Sequence, residues 1–226
     1  MAQGTVRPFA VIDCSLARFS IGRFCTSVRE LLDAIREVDP PVIEHHMMRC
    51  ALEDHFELYE FPNDFARWCW GPVGDHVLGE RLALVDPYRH SSIESLRSEL
   101  VNVIEDHLWQ LDRVPFSRPG LELHLVGSRL VSYDTGVRLA TPVALAEAIP
   151  RLPRRSLFFH FHEARRRTNG QTDDFSYWLE QYGADPALVQ RIRSLDFYFL
   201  NLSQLRKELI EVFREFLPEA EVVPPA

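Results

Sequence analysis

The chain lacks the residues that mark the commonest nucleotide-binding and metal-binding motifs. Of its 226 residues only 10 are glycine, and no G-x-x-x-x-G-K-[ST], G-x-G-x-x-G or G-x-S-x-G motif occurs. A known phosphate-cradling loop and a nucleophile elbow are therefore unsupported. The four cysteines form no C-x-x-C pair, so a zinc ribbon and a dithiol redox motif are excluded. We expect them to be reduced, mostly buried thiols: Cys14, Cys25, Cys50 and Cys69.

Long apolar runs and an excess of positive charge are also missing. No run approaches the roughly 18 apolar residues of a membrane-spanning helix, and residues 1–19 lack the layout of a secretory signal. The net charge of −8 argues against a general nucleic-acid binder. Lys207 is the single lysine among 25 basic residues, a usage typical of some bacteria. We predict a cytoplasmic bacterial protein with neither a membrane nor a nucleic-acid partner.

The chain contains an internal sequence repeat that extends over most of its length. A shift of 114 residues superposes Leu16, Gly22, Leu31, Ala34, Ile35 and His46 on identical residues. A shift of 110 residues superposes a second set on identical residues: Asp64, Phe65, Trp68, Asp75, Leu78, Arg81, Asp86 and Tyr88. A shift of 109 residues superposes a third set: Leu96, Arg97, Glu99, Leu100, Val103 and Leu108. We predict two tandem, pseudo-symmetric repeats over 9–109 and 123–217, joined by a linker over 110–122 and followed by a disordered tail over 218–226.

Each repeat is predicted to be mainly helical with a small β element, an α+β fold. Leu121, Leu123 and Leu125 alternate with polar residues, which indicates a strand at the start of the second repeat. Apolar residues at helical spacing predict helices over 77–85, 92–108, 187–195 and 202–216. Ser91 with Glu94, and Asn201 with Gln204, fit the capping-box pattern. The histidine-bearing segments over 42–52 and 156–167 fit either helix or strand, and we favour helix.

His46 and His160 are the sharpest candidates for a site, because they occupy equivalent positions in both repeats. In one interpretation each is a metal ligand or general base, oriented by Asp64 or Asp174. In the other, each is a buried imidazole that donates a hydrogen bond to that aspartate or to a carbonyl and so fixes the fold. The two aspartates also suit helix N-termini. No H-E-x-x-H arrangement is present, so the metal signal is weak.

Two further groups have both a structural and a functional interpretation. Trp68 and Trp178 are spaced for core packing, with a stacking platform for a sugar as the alternative. Arg165, Arg166 and Arg167 occur only in the second repeat. Clustered guanidinium groups suit phosphate or carboxylate ligands. The other interpretation is a solvated face or a docking surface.

Three motifs resemble an uncharacterised bacterial and archaeal domain family. These are PNDFARW, LGERLALVDPY and SIESLRSEL, which match its pattern NDFA-x-W, LA-x-RL-x-x-ID-x-Y and L-x-x-LR. The second repeat keeps much of the same pattern, while Ile21 replaces the family's threonine in the first. The resemblance implies a fold unit present twice and no known reaction. Members of the family sometimes occur beside glycosyltransferases.

The sequence therefore favours a non-enzymatic binding or regulatory module without a cofactor, linked by that neighbourhood to bacterial carbohydrate metabolism. Its ligand-binding candidates are His46, Asp64, His160, Asp174, Arg165, Arg166 and Arg167. The expected partner is a protein or an anionic small molecule. The alternative is a metal-assisted hydrolase that uses the repeated histidine and aspartate positions.

Overall fold

The computed structural model describes residues 6–53, 61–167, 172–218 and 220. It is mostly helical (58%), with one two-stranded antiparallel sheet among the described residues. This confirms the predicted α+β class at the level of secondary structure. Within the described part of the chain, no helix is both long enough and apolar enough to cross a membrane. Of the predicted tail, 219 and 221–226 lie outside the described residues.

The two strands are β1 (Phe9–Cys25) and β2 (Leu123–Leu139). The α-helices, in chain order, are α1 (Val28–Glu37), α2 (Pro40–Met47), α3 (Asp64–Trp68), α4 (His76–Ala83), α5 (Ile93–Leu108), α6 (Pro142–Ala148), α7 (Arg154–Phe158), α8 (Ala164–Arg167), α9 (Asp174–Tyr182), α10 (Pro186–Arg193) and α11 (Leu202–Phe216). Two π-helical turns, Cys69–Val73 and Phe159–Glu163, extend α3 and join α7 to α8. Short 3-10 turns occupy Arg49–Leu52, Pro87–Arg89, Ile149–Arg151 and Phe197–Phe199.

The chain divides into two compact units, and the division crosses both strands. The central unit is Leu16–Leu130, and the terminal unit consists of Met1–Ser15 together with Val131–Ala226. Each unit therefore contains part of β1, part of β2 and its own set of helices. In the terminal unit the Thr135 hydroxyl donates to the Val11 carbonyl across the two strands at 2.7 Å.

The central unit is built around α1 and α5. Ser27 caps α1 by accepting from the Glu30 N–H, and the helix places an apolar stripe toward the core. The first residues of β2 close this core with Leu123 and Leu125, which are 7% and 1% exposed. The side chains at its centre are fully buried: Leu31, Leu32, Ile43, Met47, Phe65, Leu78, Leu82, Leu100 and Ile104.

The terminal unit has an aromatic core, into which the start of β1 contributes Phe9 and Val11. The Phe9 ring centroid lies 5.5 Å from that of Phe175 and 5.8 Å from that of Trp178. Asn201 and Gln204 form the predicted capping box at the start of α11. The largest buried side chains of this core are Phe158, Phe161, Phe175 and Phe213.

The histidine-bearing segments are helical, as favoured from the sequence. His45 and His46 lie on α2, and His160 and His162 lie on the π-helical turn between α7 and α8. All four imidazoles are at least 95% buried. A π-helical turn widens the helix locally and often occurs beside a functional site.

Candidate functional site

His46 and Asp64 form a buried pair in the central unit. Asn63 caps α3 and leaves Asp64 as the first residue of that helix, facing α2. The His46 Nδ1 lies 2.8 Å from Asp64 Oδ2, and the Val126 backbone N–H donates to His46 Nε2 at 3.1 Å. Because Nε2 accepts, it carries no proton, and the proton on Nδ1 is donated to the aspartate.

His160 and Asp174 form the corresponding pair in the terminal unit. Their Nδ1–Oδ2 distance is 2.8 Å, and the Ile12 backbone N–H donates to His160 Nε2 at 2.9 Å. Phe9 packs beside this imidazole with the ring centroids 4.8 Å apart. The contacts at His160 therefore repeat those at His46: an aspartate on one ring nitrogen and a strand amide on the other.

These contacts use both nitrogens of each imidazole. A metal ion or a proton to be abstracted would need the Nε2 lone pair, which already accepts from a backbone N–H. Taking it would leave a partly buried N–H of β1 or β2 without this partner, at a cost of up to about 1–3 kcal/mol. The geometry thus favours the structural interpretation of His46 and His160 over the catalytic one.

The Asp64 carboxylate has a second partner, because Arg67 donates to Oδ1 at 2.6 Å. Burial raises the pKa of Asp64, but the hydrogen bond from His46 and the nearby charge of Arg67 outweigh it, so the pKa lies below its ordinary value. Asp64 is consequently ionised and paired at both oxygens.

The three arginines predicted as an anion site do not converge. Arg165 is buried beside Asp173 at 3.1 Å, with its guanidinium 4.3 Å from the Phe197 ring centroid. Arg166 pairs with Glu163 at 2.7 Å and Arg167 with Asp174 at 3.0 Å. Because each guanidinium is paired with a carboxylate of its own unit, no shared anion site forms among the three.

A pocket of about 700 Å³ lies beside His46 and Asp64 in the central unit. Its walls combine aromatic rings with paired charges. The aromatic residues are Phe61, Trp68 and Trp70, and the polar ones include Arg18, His45, Glu53, Arg67, Glu122 and His124. Of these, the sequence had singled out only Trp68 as a candidate, because the pocket draws its side chains from segments that are distant in sequence.

His45 is the buried polar side chain of this pocket with a ring nitrogen to spare. Its Nδ1 lies 3.2 Å from the Ser128 hydroxyl, and no hydrogen bond joins Nε2 to another of the described residues. Burial, followed by the neighbouring His46, lowers the pKa of His45 to about 4, so the ring is neutral near pH 7. His45, His46 and Asp64 are also the one group of three potential metal ligands in the described part, with ligand atoms within 4.8 Å of one another.

A smaller pocket of about 420 Å³ lies beside His160 and Asp174 in the terminal unit. It is lined by Arg167, Tyr177 and Trp178, together with the beginning of β1. The Trp178 indole N–H donates to the Arg7 carbonyl at 2.9 Å, just as the Trp68 indole donates to the Leu121 carbonyl at 2.9 Å in the central unit. The two tryptophans therefore hold the segments that lead into the two strands, and both residues line the pockets.

Comparison with known proteins identifies the family without naming an activity. The model of the family of unknown function DUF5752 matches residues 6–214. The chain belongs to DUF5752. A solved structure, that of OrfY from Thermoproteus tenax, is 25% identical, with a TM-score of 0.75 over 93% of this chain and 96% of that one. No curated protein matches the chain.

Proposed function

We propose that this DUF5752 protein is a non-enzymatic binding or regulatory module whose ligand occupies the pocket of the central unit. The observation that carries the proposal is the use of both ring nitrogens of His46 and His160 in holding strands. The side chains that a hydrolase would need are thereby committed to the fold. What remains is a pocket of ligand size with a neutral histidine, aromatic walls and paired charges.

The proposal includes an internal duplication with repeats over 9–109 and 123–217. Contacts that recur at positions related by the sequence shifts support it. Gly22 and Gly136, 114 residues apart, both have positive φ (68° and 79°), which favours glycine. The recurring hydrogen bonds to the two histidines come from Ile12 and Val126, also 114 residues apart.

The biological setting proposed is the cytoplasm of a bacterium, with a link to carbohydrate metabolism. The link rests on the glycosyltransferase neighbours that the family resemblance implies and on the tryptophans of the central pocket. A regulatory role would involve a protein partner. The carboxylate partners of Arg165, Arg166 and Arg167 do not favour an anionic ligand there.

The experiment is an NMR titration that follows the indole N–H signals of Trp68 and Trp70 in the full chain. The probes are maltose, glucose 6-phosphate, adenosine monophosphate and glutamate, each at about 10 mM, where a millimolar ligand occupies most of the site. We expect at least one probe to shift the Trp70 signal and to be recovered chemically unchanged. Trp109, which is 87% exposed and does not line the pocket, is the internal control.

Two results would refute this function. One is a Trp70 signal that no probe moves. The other is conversion of a probe to a product at a rate that the His46→Asn variant abolishes while its fold, judged from its amide spectrum, is retained. The second result would restore the hydrolase alternative.

A further inference from the structure

We infer that the pocket of the central unit accepts an uncharged, polyhydroxylated ring, of which neutral saccharides are the main class, and that His45 Nε2 contacts it. The inference deepens the proposed function and rests on it. It depends on three properties of the described lining: how its charges are paired, how its rings are held, and which polar atom lacks a partner.

The charged side chains of the pocket are mostly paired before a ligand arrives. Arg18 donates to both carboxylate oxygens of Glu53 at 2.7 Å, and Arg67 pairs with Asp64 at 2.6 Å. An anionic ligand would have to compete with Glu53 or Asp64 for a guanidinium, and a cationic ligand would have to compete with an arginine for a carboxylate. Neither exchange gains an ion pair, so a net charge on the ligand brings no advantage.

Paired charges still have donors and acceptors to spare. A guanidinium has five N–H groups and a carboxylate has about four lone-pair positions, whereas Arg18 uses only Nη1 toward Glu53. A hydroxyl both donates and accepts, so one hydroxyl can bond to the arginine and to the carboxylate of such a pair. A ligand with several hydroxyls suits this lining better than one with a single type of hydrogen-bonding group.

The aromatic wall is held in place by its own contacts. Trp70 stacks on His76 with centroids 4.1 Å apart and an interplanar angle of 19°, and Phe61 lies 5.1 Å from it on another side. Trp68 is fixed by its bond to the Leu121 carbonyl. These rings offer preformed apolar surfaces on which the C–H face of a sugar ring packs while its hydroxyls point outward.

His45 supplies a polar ring nitrogen to the pocket. The side chain is held by Ser128 on Nδ1 and packs edge-on against His46, with 5.1 Å between centroids. The side chain is 4% exposed and lines the pocket, and no hydrogen bond joins its Nε2 to another described residue. A ligand hydroxyl can pair with this nitrogen in place of solvent, which adds a directional contact beside the aromatic wall.

The test is a calorimetric and NMR titration of the full chain with maltose and cellobiose, repeated with glucose 6-phosphate and glucosamine as charged counterparts. We expect a neutral disaccharide to bind with millimolar or tighter affinity and to shift the Trp70 indole signal. Each charged sugar should bind at least about tenfold more weakly, because its charge must be desolvated without a new ion pair.

Two variants locate the bound sugar. His45→Phe keeps the ring and removes Nε2, and Trp70→Leu removes the stacking surface. We expect each to weaken disaccharide binding by about tenfold or more. His90→Phe and Trp109→Leu, in the same unit but outside the pocket lining, should leave binding unchanged. Amide spectra check that each variant is folded, so a folding defect in one leaves the other as the test.

The outcomes separate the inference from the proposed function. If a charged probe shifts Trp70 and neutral disaccharides do not, the inference is wrong and the binding function stands. If disaccharides bind equally well to the folded His45→Phe and Trp70→Leu variants, they bind elsewhere and the inference is also wrong. If no probe of any class moves Trp70, both fail.

Discussion

Single side chains join elements that are distant in sequence, and His46 is the clearest example. One imidazole joins Asp64 at a helix start to the Val126 amide of a strand. The bond to Asp64 is almost completely buried and the bond from Val126 is partly buried, so water compensates poorly for the lost ring. The histidine thus links secondary structures that are distant in sequence.

Replacing His46 should therefore destabilise the central unit. We predict that His46→Ala lowers the free energy of unfolding by about 2–4 kcal/mol, because it leaves the Val126 N–H unsatisfied and removes a partner of buried Asp64. Urea denaturation measures the change. His124→Ala, at an exposed position of the same strand, should cost less than about 0.5 kcal/mol. Equal losses for the two variants would contradict the structural role.

His162 makes the terminal unit sensitive to acid. Burial, followed by the charge of Arg165, lowers its pKa from 6.5 to about 3. Between these values the unfolded chain binds a proton that the folded chain does not, so stability must fall as the pH falls through this window. The stability is fully present above the unfolded-state pKa.

We predict that His162→Phe flattens this dependence. The replacement can keep the stacking on Phe158, whose ring lies 5.4 Å away at 8°, and it has no titrating group. Denaturation midpoints measured from pH 7 to pH 4.5 should fall less for the variant than for the original chain. Some slope should persist, because the pKa of His45 is also lowered, to about 4. Parallel slopes would show that His162 does not set the acid sensitivity.

The sequence predicted these side-chain pairs only in part. It coupled His46 with Asp64 and His160 with Asp174 because both members of each pair sit at repeated positions, and the distances agree. It could not supply the amides of Val126 and Ile12, which come from segments 80 and 148 residues away. His45 was missed for a physical reason: only the fold shows that both ring nitrogens of its neighbour are bonded while His45 lines a pocket.

At the scale of secondary-structure elements, caps and packing determine where the helices begin. Asn63 caps α3 by accepting from the Ala66 N–H at 2.8 Å, and its amide also donates to the Leu82 carbonyl at 3.0 Å. The residue is fully buried. It therefore fixes α3 against α4 as well as capping it.

We predict that Asn63→Ala lowers the free energy of unfolding by about 2–3 kcal/mol. The variant loses the cap of α3, and the Leu82 carbonyl loses the Asn63 amide as a donor. Ser92→Ala removes the exposed cap of α5 in the same unit and should cost about 1 kcal/mol or less. Chemical denaturation of the two variants gives the comparison. If Ser92→Ala lowered the free energy of unfolding as much as Asn63→Ala does, the loss of a helix cap would explain both effects, and the bond from Asn63 to Leu82 would contribute nothing.

Helices were better predicted than strands. Predicted ranges such as 92–108 and 202–216 agree with α5 and α11 within one residue at either end. The cap of α5 was wrong by one position: Ser92 is the cap, and Glu94 pairs with Arg97. The small predicted β element was too short, because each strand spans 17 residues and much of its length is exposed on both faces.

At the scale of the whole molecule, the compact units and the predicted repeats have different boundaries. The central unit runs from Leu16 to Leu130 and includes the first part of β2, whereas the first predicted repeat ends at residue 109. Within that unit Trp68 bonds to Leu121 and His46 to Val126. A fragment that stops before Leu121 lacks these partners and the buried Leu123 and Leu125.

We predict that the fragment 16–130 folds and the fragment 9–109 does not. The longer fragment keeps the strand that closes its core, and the shorter one exposes the apolar surface that this strand covers. Amide spectra and the cooperativity of thermal unfolding distinguish the two. Cooperative unfolding of 9–109 would mean that a single repeat is sufficient and that the strand of β2 is dispensable.

The most direct measurement is the protonation of the two repeated histidines, read from the ¹⁵N chemical shifts of their ring nitrogens in the folded chain near pH 7. We predict that His46 and His160 are neutral and protonated on Nδ1, with Nε2 accepting from the amides of Val126 and Ile12. Added zinc should leave these shifts unchanged. A proton on Nε2, or a stoichiometric change on adding zinc, would contradict the account and reassign the pairs to a metal or catalytic site.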